Sequence, residues 1–294
     1  MHPALPRAAM AGLGAALACL CLTASAGAHG MKPLNDSALS DVRGGDGLSF
    51  DLSNFALSGD ARYTYTTPDQ TASAYMGNLS ASRSDSLDPF SDPYRLDLVA
   101  GAAGQADVVK LAFPINADAS QKWQLAYDWG VTANGIAVDG GSVLYTDAVF
   151  SGGGMQWSTP RFGDGIAFGM GLRLDIGNLA FQGQRTGANA PMNLTGVHID
   201  GLNPDGSIPT TPLPWVIADV ATQPGAVNVV TDADGTPHLH IGIGWPDAGH
   251  EAPLGRLRID NLTFANIATP SQSVNLGASS IGSMQIQYLD IKFK

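Results

Sequence analysis

The chain has 294 residues, and its 36 Gly and 18 Pro make up about 18 % of the sequence, against roughly 12 % in an average protein. Acidic residues outnumber basic ones by 26 to 15, and every acidic residue except Glu251 is an aspartate. Because Glu favours helices whereas Asp favours caps and turns, this composition excludes a helical bundle or a coiled coil. The hydrophobic content of 44 % is enough for a core and argues against a wholly disordered chain.

Residues 1–28 have the layout of a secretory signal peptide. Arg7 precedes an apolar stretch, and two small-residue cleavage sites follow it. The apolar stretch is shorter than the ~20 residues that a membrane-spanning helix needs. We therefore expect a mature chain that begins at Gly27 or His29 and is located in the periplasm, at the outer surface or outside the cell.

Cysteine and charge counts both narrow the classes of function. Cys19 and Cys21 are the two cysteines of the chain, and both lie inside the predicted signal peptide. The mature chain then has no thiol, which excludes disulfides, a cysteine nucleophile and cysteine-based metal centres.

Loss of Arg7 with the signal peptide changes the formal net charge from −11 to −12, and the remaining basic residues are scattered. A nucleic-acid partner is not expected, because a phosphate backbone is bound by clustered Lys and Arg.

Residues 29–47 are predicted to form a short helical segment. Asn35 can cap this helix, Leu34 and Leu39 are spaced as a hydrophobic staple, and Gly44 is placed as a left-handed stop. No later stretch has such a helical pattern. We expect this segment to be the one clear helix of the chain.

Residues 48–294 alternate between apolar and polar side chains in short segments that end at turn residues. This period of two, together with frequent Asp-Gly pairs, predicts an all-β domain. Two architectures fit the pattern: an antiparallel sandwich, or an irregular β-solenoid with long loops. Long loops are expected near residues 66–93 and 182–215, which are rich in Ser, Asp, Pro and Gly.

Eleven segments have the strand pattern, and the Asp-Gly pairs are predicted turns. The predicted strands are Leu48–Leu57, Tyr94–Val99, Val108–Ile115, Trp123–Trp129, Ile136–Val149, Ile166–Phe181, Val216–Val220, Ala226–Val230, His238–Ile243, Arg256–Phe264 and Met284–Phe293. The predicted turns are Asp46-Gly47, Asp139-Gly140, Asp164-Gly165, Asp205-Gly206 and Asp234-Gly235.

A short unit recurs along the chain. Arg173–Phe181 and Arg256–Phe264 share six residues at equal positions, Ser49–Leu57 fits the same frame, and Ser283–Ile291 fits its apolar positions. The pattern is apolar-x-apolar-x-Asn-apolar-x-apolar, so its two apolar halves are three residues apart. An ordinary strand would turn the second half to the opposite face, and a bulge or corner at the Asn is therefore predicted. The alternative is that these are strands that merely resemble one another.

The segment Leu34–Phe50 resembles the start of a loosely defined group of secreted β-rich proteins of Gram-negative bacteria. Their mature N-termini often have Leu-x-Asp-x-x-Leu-x-x-Val-x-Gly-Gln-Asp-Gly, and some are named as pilus-assembly or filament-associated proteins. Gly45 stands where Gln is usual, and Tyr75–Leu79 and Pro93–Gly104 are similar in style to that group. The resemblance implies a location at the cell envelope or surface, protein partners there, and a structural or adhesive role.

His238 and His240 lie two residues apart, a spacing that places both imidazoles on one face of a strand. With His250 and Glu251 behind them they could ligate zinc or another divalent ion, so a metal-dependent hydrolase is one alternative function. The Glu lies too far from the pair for the cupin pattern. No metal, cofactor or catalytic residue is therefore assigned from the sequence.

A carbohydrate-binding module is another alternative function. Aromatic side chains of a sheet can stack on sugars, although they pack in the core more often. The candidate platform consists of Trp123, Tyr127, Trp129 and Trp157.

Two short segments, Asp232–Gly235 and Asn203–Gly206, look like fragments of calcium-binding loops. Neither has the downstream bidentate Glu that completes such a loop. Ordinary β-turns are therefore predicted at both positions.

The remaining alternatives concern export. Leu34–Gly45 also resembles a double-glycine leader that is cleaved after Gly45, but the upstream signal peptide and the large body of the chain disfavour it. An outer-membrane class of β protein is disfavoured because the predicted strands are not evenly spaced ten-residue segments.

The leading expectation is an exported, non-enzymatic structural or adhesive protein of the bacterial cell envelope or surface, associated with a filament or pilus.

Overall fold

The computed structural model describes residues 47–52, 55–84, 92–101, 105–161, 163–185, 190–266 and 268–293. Every strand pairing in these ranges is antiparallel, which confirms the predicted all-β antiparallel class. The solenoid alternative is wrong, because the rungs of a β-helix stack in parallel. Apart from Gly47, the predicted signal peptide and N-terminal helix lie outside the described residues. Within the described ranges, no helix has the length and apolar character needed to cross a membrane.

Sixteen strands and one short 3₁₀ turn, Pro270–Gln272, make up the regular structure of the described residues. The strands are β1 Leu48–Phe50, β2 Ala56–Ser58, β3 Tyr63–Thr66, β4 Ala72–Arg83, β5 Tyr94–Val99, β6 Val108–Ala112, β7 Lys122–Ala133, β8 Ile136–Ser158, β9 Ile166–Gln182, β10 Met192–Gly201, β11 Trp215–Ala218, β12 Gly225–Thr231, β13 Pro237–Ile243, β14 Gly255–Phe264, β15 Val274–Met284 and β16 Leu289–Phe293.

The long strands β8 and β9 organise the sheet, because each pairs with different neighbours along its length. The first part of β8 pairs with β7 and its last part with β6. The first part of β9 pairs with β11 and β12, and its second part with β10. One arm of the sheet therefore runs β4-β7-β8-β9-β10-β14-β15, and a second arm runs β1-β5-β6-β8-β9-β12-β13-β16.

Three consecutive glycines lie where β8 passes from the first arm to the second. Gly152, Gly153 and Gly154 have φ angles of 63°, 73° and 138°. The register between β8 and β9 shifts between Phe150 and Gly153. Residues with side chains rarely adopt such φ angles, and a register shift bends a strand. The glycine run thus forms the bend between the two arms.

The core lies where the sheet folds over itself at this bend. Tyr94 of β5 is buried together with Trp123, Ala148, Ile176 and Val197, which belong to β7, β8, β9 and β10. Burial raises the pKa of Tyr94, and a hydrogen bond with Trp123 opposes this effect only in part. Residues of both arms therefore share one apolar core, as in a β-sandwich.

The recurring unit lies on a crease that crosses the first arm. Gly177 of β9 is flanked by Asp147 of β8 (φ 54°) and by Gly196 of β10 (φ 62°). Gly196 also faces Asp260 of β14, and a register shift at Gly277 (φ 76°) continues the line on β15. The ladder is interrupted along this line, which is where the sequence pattern predicts a bulge or corner.

Apolar residues on the two sides of the crease face the same core. Ile176 and Leu179 are three residues apart, and both contact the core cluster. The positive φ angles along this line belong to residues of the facing strands and not to Asn178 or Asn261, so the predicted placement of the corner at the Asn is wrong in detail. Ala180, on the opposite face, is also only 7 % exposed. This part of β9 is therefore covered on both faces.

The expectation of long loops near residues 66–93 and 182–215 is wrong over much of their length. Strand β4 occupies Ala72–Arg83 and β10 occupies Met192–Gly201. Both sequences are rich in small and polar residues, so their own strand preference is weak. Pairing with neighbouring strands stabilises both segments, since β4 pairs with β7 and β10 pairs with β9 and β14.

The turns follow the predicted chemistry at some positions and not at others. Asp205-Gly206 and Asp234-Gly235 form turns, as predicted for both calcium-like segments. Asp139-Gly140 lies inside β8 instead. The turn that joins β7 to β8 is Asn134-Gly135, with φ angles of 50° and 77°. Two positive φ angles are what a two-residue type I′ hairpin requires, and Asn-Gly is its preferred sequence.

Candidate functional site

A cleft of about 470 Å³ lies on one face of the ribbon formed by β4, β7 and β8. We call it the polar cleft, because carboxylate, guanidinium and amide groups form most of its wall. The side chains that matter below are Asp60, Arg62, Tyr75, Asp128, Asp139 and Arg185.

Asp128 is the centre of the hydrogen bonds in the polar cleft. Its Oδ1 accepts hydrogen bonds from Ser142 Oγ at 2.6 Å and from Arg185 Nε at 3.2 Å, and its Oδ2 accepts one from Asn78 Nδ2 at 2.7 Å. Burial raises the pKa of Asp128, but the hydrogen bonds from Ser142 and Asn78 and the charge of Arg185 lower it more, so the net pKa lies below its ordinary value. The ionised carboxylate therefore holds three side chains in fixed positions.

Irregular backbone shapes the walls of the polar cleft. Asn78 has a φ of 50° and lies at the register shift between β4 and β7. Gly141 has a φ of 86°, and its N–H donates to Asp139 Oδ1 at 2.9 Å. A Cβ at Gly141 would lie 2.1 Å from the carbonyl oxygen of Gln182, so only glycine fits there. Bulges of this kind are common at the edge of a sheet, where they change the direction in which side chains point.

Arg62 and Tyr75 form the outer wall of the polar cleft. The guanidinium carbon of Arg62 lies 3.7 Å from the centre of the Tyr75 ring, in a cation–π arrangement. Gly130 lies against the same ring, because a Cβ at Gly130 would be 2.5 Å from it. Tyr75 is thereby fixed, and it holds the exposed Arg62 guanidinium over the cleft.

The two candidate metal-binding histidines have protein partners instead. His238 and His240 share one face of β13, as predicted, and both nitrogens of each ring lie within 3.2 Å of an oxygen atom. His250 and Glu251 are exposed in the segment between β13 and β14. In the described ranges no three His, Cys, Asp or Glu side chains are arranged to hold a metal ion. The partners are Asp232 Oδ2 and Phe293 O for His238, and Asp290 Oδ1 and Asn228 Oδ1 for His240.

We expect zinc to leave the melting temperature of the mature protein unchanged. Both nitrogens of His238 and His240 already face protein oxygens, so a metal would have to displace several contacts to bind. Thermal melts with and without Zn²⁺, together with elemental analysis of tag-free protein, check this. Stoichiometric zinc that disappears in the His238→Ala/His240→Ala double variant would contradict it.

The four aromatic residues of the predicted sugar platform are not brought together. Trp123 is buried in the core at 7 % exposure. Tyr127 and Trp129 line an apolar groove of about 310 Å³. Side chains alternate along β7, so this groove lies on the face opposite to Asp128 and the polar cleft. Trp157 lies in the last part of β8, which pairs with β6 in the second arm.

Sequence reasoning did not single out the polar cleft. Asp128 is one of 25 aspartates, and its partners Ser142, Asn78 and Arg185 are 14, 50 and 57 residues away in sequence. No local spacing connects such distant residues. The one available signal was a carboxylate between two aromatic residues of a strand, which predicts that Asp128 faces away from the apolar side.

A second feature of the first arm is its outer edge, formed by β15. In the described part of the chain β15 pairs only with β14, and its sequence Val274–Met284 contains neither a charged residue nor a proline. Val274, Leu276 and Ile281 are 50 %, 60 % and 49 % exposed. Charges, prolines and bulges are the usual protection of an edge strand, and of these β15 has register irregularities around Gly277 and between Ile281 and Met284. This edge can therefore accept another strand.

Over the described ranges the fold is thus all-β, one open antiparallel sheet with a polar cleft and with β15 at an edge where it pairs on one side only. Residues 10–113, about a third of the chain, match a family of unknown function, DUF6160. The match ends just after β6, so it includes Arg62, Tyr75 and Asn78 of the polar cleft but not Asp128. No curated protein and no solved structure matches the chain.

Proposed function

We propose that this chain is an exported, non-enzymatic structural or adhesive protein of the bacterial cell envelope or surface, associated with a filament or pilus. The signal-peptide pattern of residues 1–28 supports export. The resemblance of Leu34–Phe50 to secreted β-rich proteins supports the location and the structural class. The observation that carries a structural role is the uncharged edge of β15, which among the described strands pairs only with β14.

The edge of β15 suits addition of a second β15 from another copy of the chain. An antiparallel pair centred on Ser279 places Leu276 opposite Gly282 and Ile281 opposite Gly277, so each of these two side chains faces a glycine, while Val274 faces Met284. The strand carries no charge, so two copies meet there without like-charge repulsion although the mature chain is acidic. Such a pair has twofold symmetry and buries the backbone groups of both edges.

We expect the mature chain to self-associate with increasing concentration, and Leu276→Lys to weaken this association at least tenfold. A lysine at this position removes the apolar side chain that packs opposite Gly282 and places a charge on the edge, which strand pairing would have to desolvate. Sedimentation velocity across a concentration series measures the effect, and circular dichroism checks that each variant is folded.

Ile208→Lys is the matched control, because Ile208 is 64 % exposed in the segment between β10 and β11 and is not part of β15. It introduces the same charge at a similarly exposed aliphatic position, and we expect no change in association. A wild-type chain that stays monomeric, or an equal effect of both substitutions, would overturn the assembly proposed for β15.

A further inference from the structure

The polar cleft contains polar groups that its own hydrogen bonds do not use. Asp128 and Arg185 form an ion pair at 3.1 Å, so their charges compensate each other. Arg62 has no ion pair with a carboxylate in the part of the chain that the structure describes, and Asp60 has no hydrogen-bond partner there. Among the described residues Asp139 accepts a hydrogen bond only at its Oδ1, from the N–H of Gly141. One guanidinium and several carboxylate oxygens therefore remain available at the wall of the cleft.

The unpaired groups are two carboxylates and one guanidinium, so the cleft presents hydrogen-bond acceptors and donors together and not a wall of one charge. A small anion would meet Asp60 and Asp139, and a small cation would meet Arg62, so either ion faces a repulsive partner. A hydroxyl group both donates and accepts hydrogen bonds. A ligand with several neighbouring hydroxyl groups can therefore accept from the guanidinium and donate to the carboxylates at the same time.

The polar cleft is also held in shape before a ligand arrives. Ser142, which is 3 % exposed, and two further donors fix Asp128, while Tyr75 fixes Arg62 by stacking. Side chains that are already ordered lose less conformational entropy on binding. The volume of about 470 Å³ lies within the roughly 300–1,000 Å³ of typical small-molecule sites. It suits a small ligand or the end of a longer chain.

We propose that the polar cleft binds a neutral saccharide. Arg62 donates hydrogen bonds to sugar hydroxyls, and Asp60 and Asp139 accept hydrogen bonds from them. The stacked Arg62 also offers a flat surface beside the Tyr75 ring. This inference deepens the adhesive part of the proposed function, because a saccharide is a ligand that a surface protein meets on other cells. It does not rest on the strand pairing proposed for β15.

The test begins with an array of neutral oligosaccharides and of oligosaccharides that contain uronic acids, probed with the mature chain. Calorimetric titration then measures the affinity for the best neutral probe. We expect binding of neutral probes, and at least tenfold weaker binding in both Arg62→Ala and Asp60→Asn. Arg62→Lys keeps the charge but loses the planar fork, and should also bind more weakly.

Arg95→Ala is the matched control, because Arg95 is an exposed arginine on β5, outside the cleft. It should bind like wild type, and so should Leu276→Lys, which separates this site from the assembly through β15. Arg62 and Asp60 are exposed, so their variants are expected to melt like wild type. Absence of binding to every neutral probe, a preference for uronic acids, or unchanged binding by Arg62→Ala would overturn the proposal.

Discussion

Gly153→Ala is expected to cost more than about 3 kcal/mol, enough to lower the melting temperature by roughly ten degrees or to prevent accumulation of folded protein. Gly153 has a φ of 73°, and a Cβ there would lie 2.4 Å from the carbonyl oxygen of Gly171. That oxygen belongs to β9, so the clash can be relieved only by moving one strand of the hairpin shared by both arms. Thermal melts monitored by circular dichroism measure the loss of stability.

Gly235→Ala is the control for Gly153→Ala, because it introduces the same kind of backbone strain without a steric clash. Gly235 has a φ of 85°, but no atom lies within 4 Å of a Cβ built there. Alanine at this turn should cost only about 1–2 kcal/mol, the usual price of a left-handed residue with a side chain. Equal melting temperatures of the two variants would show that the bend at Gly152–Gly154 is not tightly packed.

Asp200→Ala is the second substitution with a large expected effect, at about 3–5 kcal/mol. Arg256 donates from Nε to Asp200 Oδ1 at 2.5 Å and from Nη2 to Oδ2 at 2.8 Å, and this pair joins β10 to β14. Asp200 is only 7 % exposed. The hydrogen bonds from Arg256 to Asp200 also raise the pKa of the guanidinium. Removal of the carboxylate leaves the partly buried guanidinium of Arg256, whose side chain is 21 % exposed, without its partner. Urea denaturation measures the change in free energy of unfolding.

Asp247→Ala provides the comparison, since Asp247 forms an ion pair with Arg161 at 3.1 Å whose side chains are 43 % and 32 % exposed. An exposed pair of this kind contributes at most about 1 kcal/mol. If Asp200→Ala lowers the free energy of unfolding no more than Asp247→Ala does, the ion pair between Asp200 and Arg256 is as well solvated as a surface pair.

The fold class could be predicted from the sequence because alternation with a period of two is a local signal. Strand β5 has the predicted bounds, Tyr94–Val99, and the crease lies where the unit Arg173–Phe181 breaks its own alternation. The residues with left-handed backbone could not be predicted, because they lie on the strands facing that unit. Which side of a ladder bulges depends on the partner strand, and one strand's sequence does not specify it.

Strands β4, β10 and β15 were missed for a different reason. Their sequences contain many Gly, Ser, Asn and Ala residues, which favour turns when considered alone. They become strands because neighbouring strands offer backbone groups with which they can pair. The polar cleft depends even more on tertiary structure, since it joins Asn78, Asp128 and Arg185 from distant parts of the sequence.

The hairpin of β8 and β9 belongs to both arms, and this limits where the chain can be truncated. Strands β4 and β6 lie within the region matched by the family of unknown function, yet they pair with β7 and β8, which follow that region. A fragment that ends at residue 113 would leave both strands without those partners and expose the apolar residues that pack against them. Truncation at this boundary therefore yields an incomplete sheet, and the cooperative folding unit extends beyond the segment that defines the similarity.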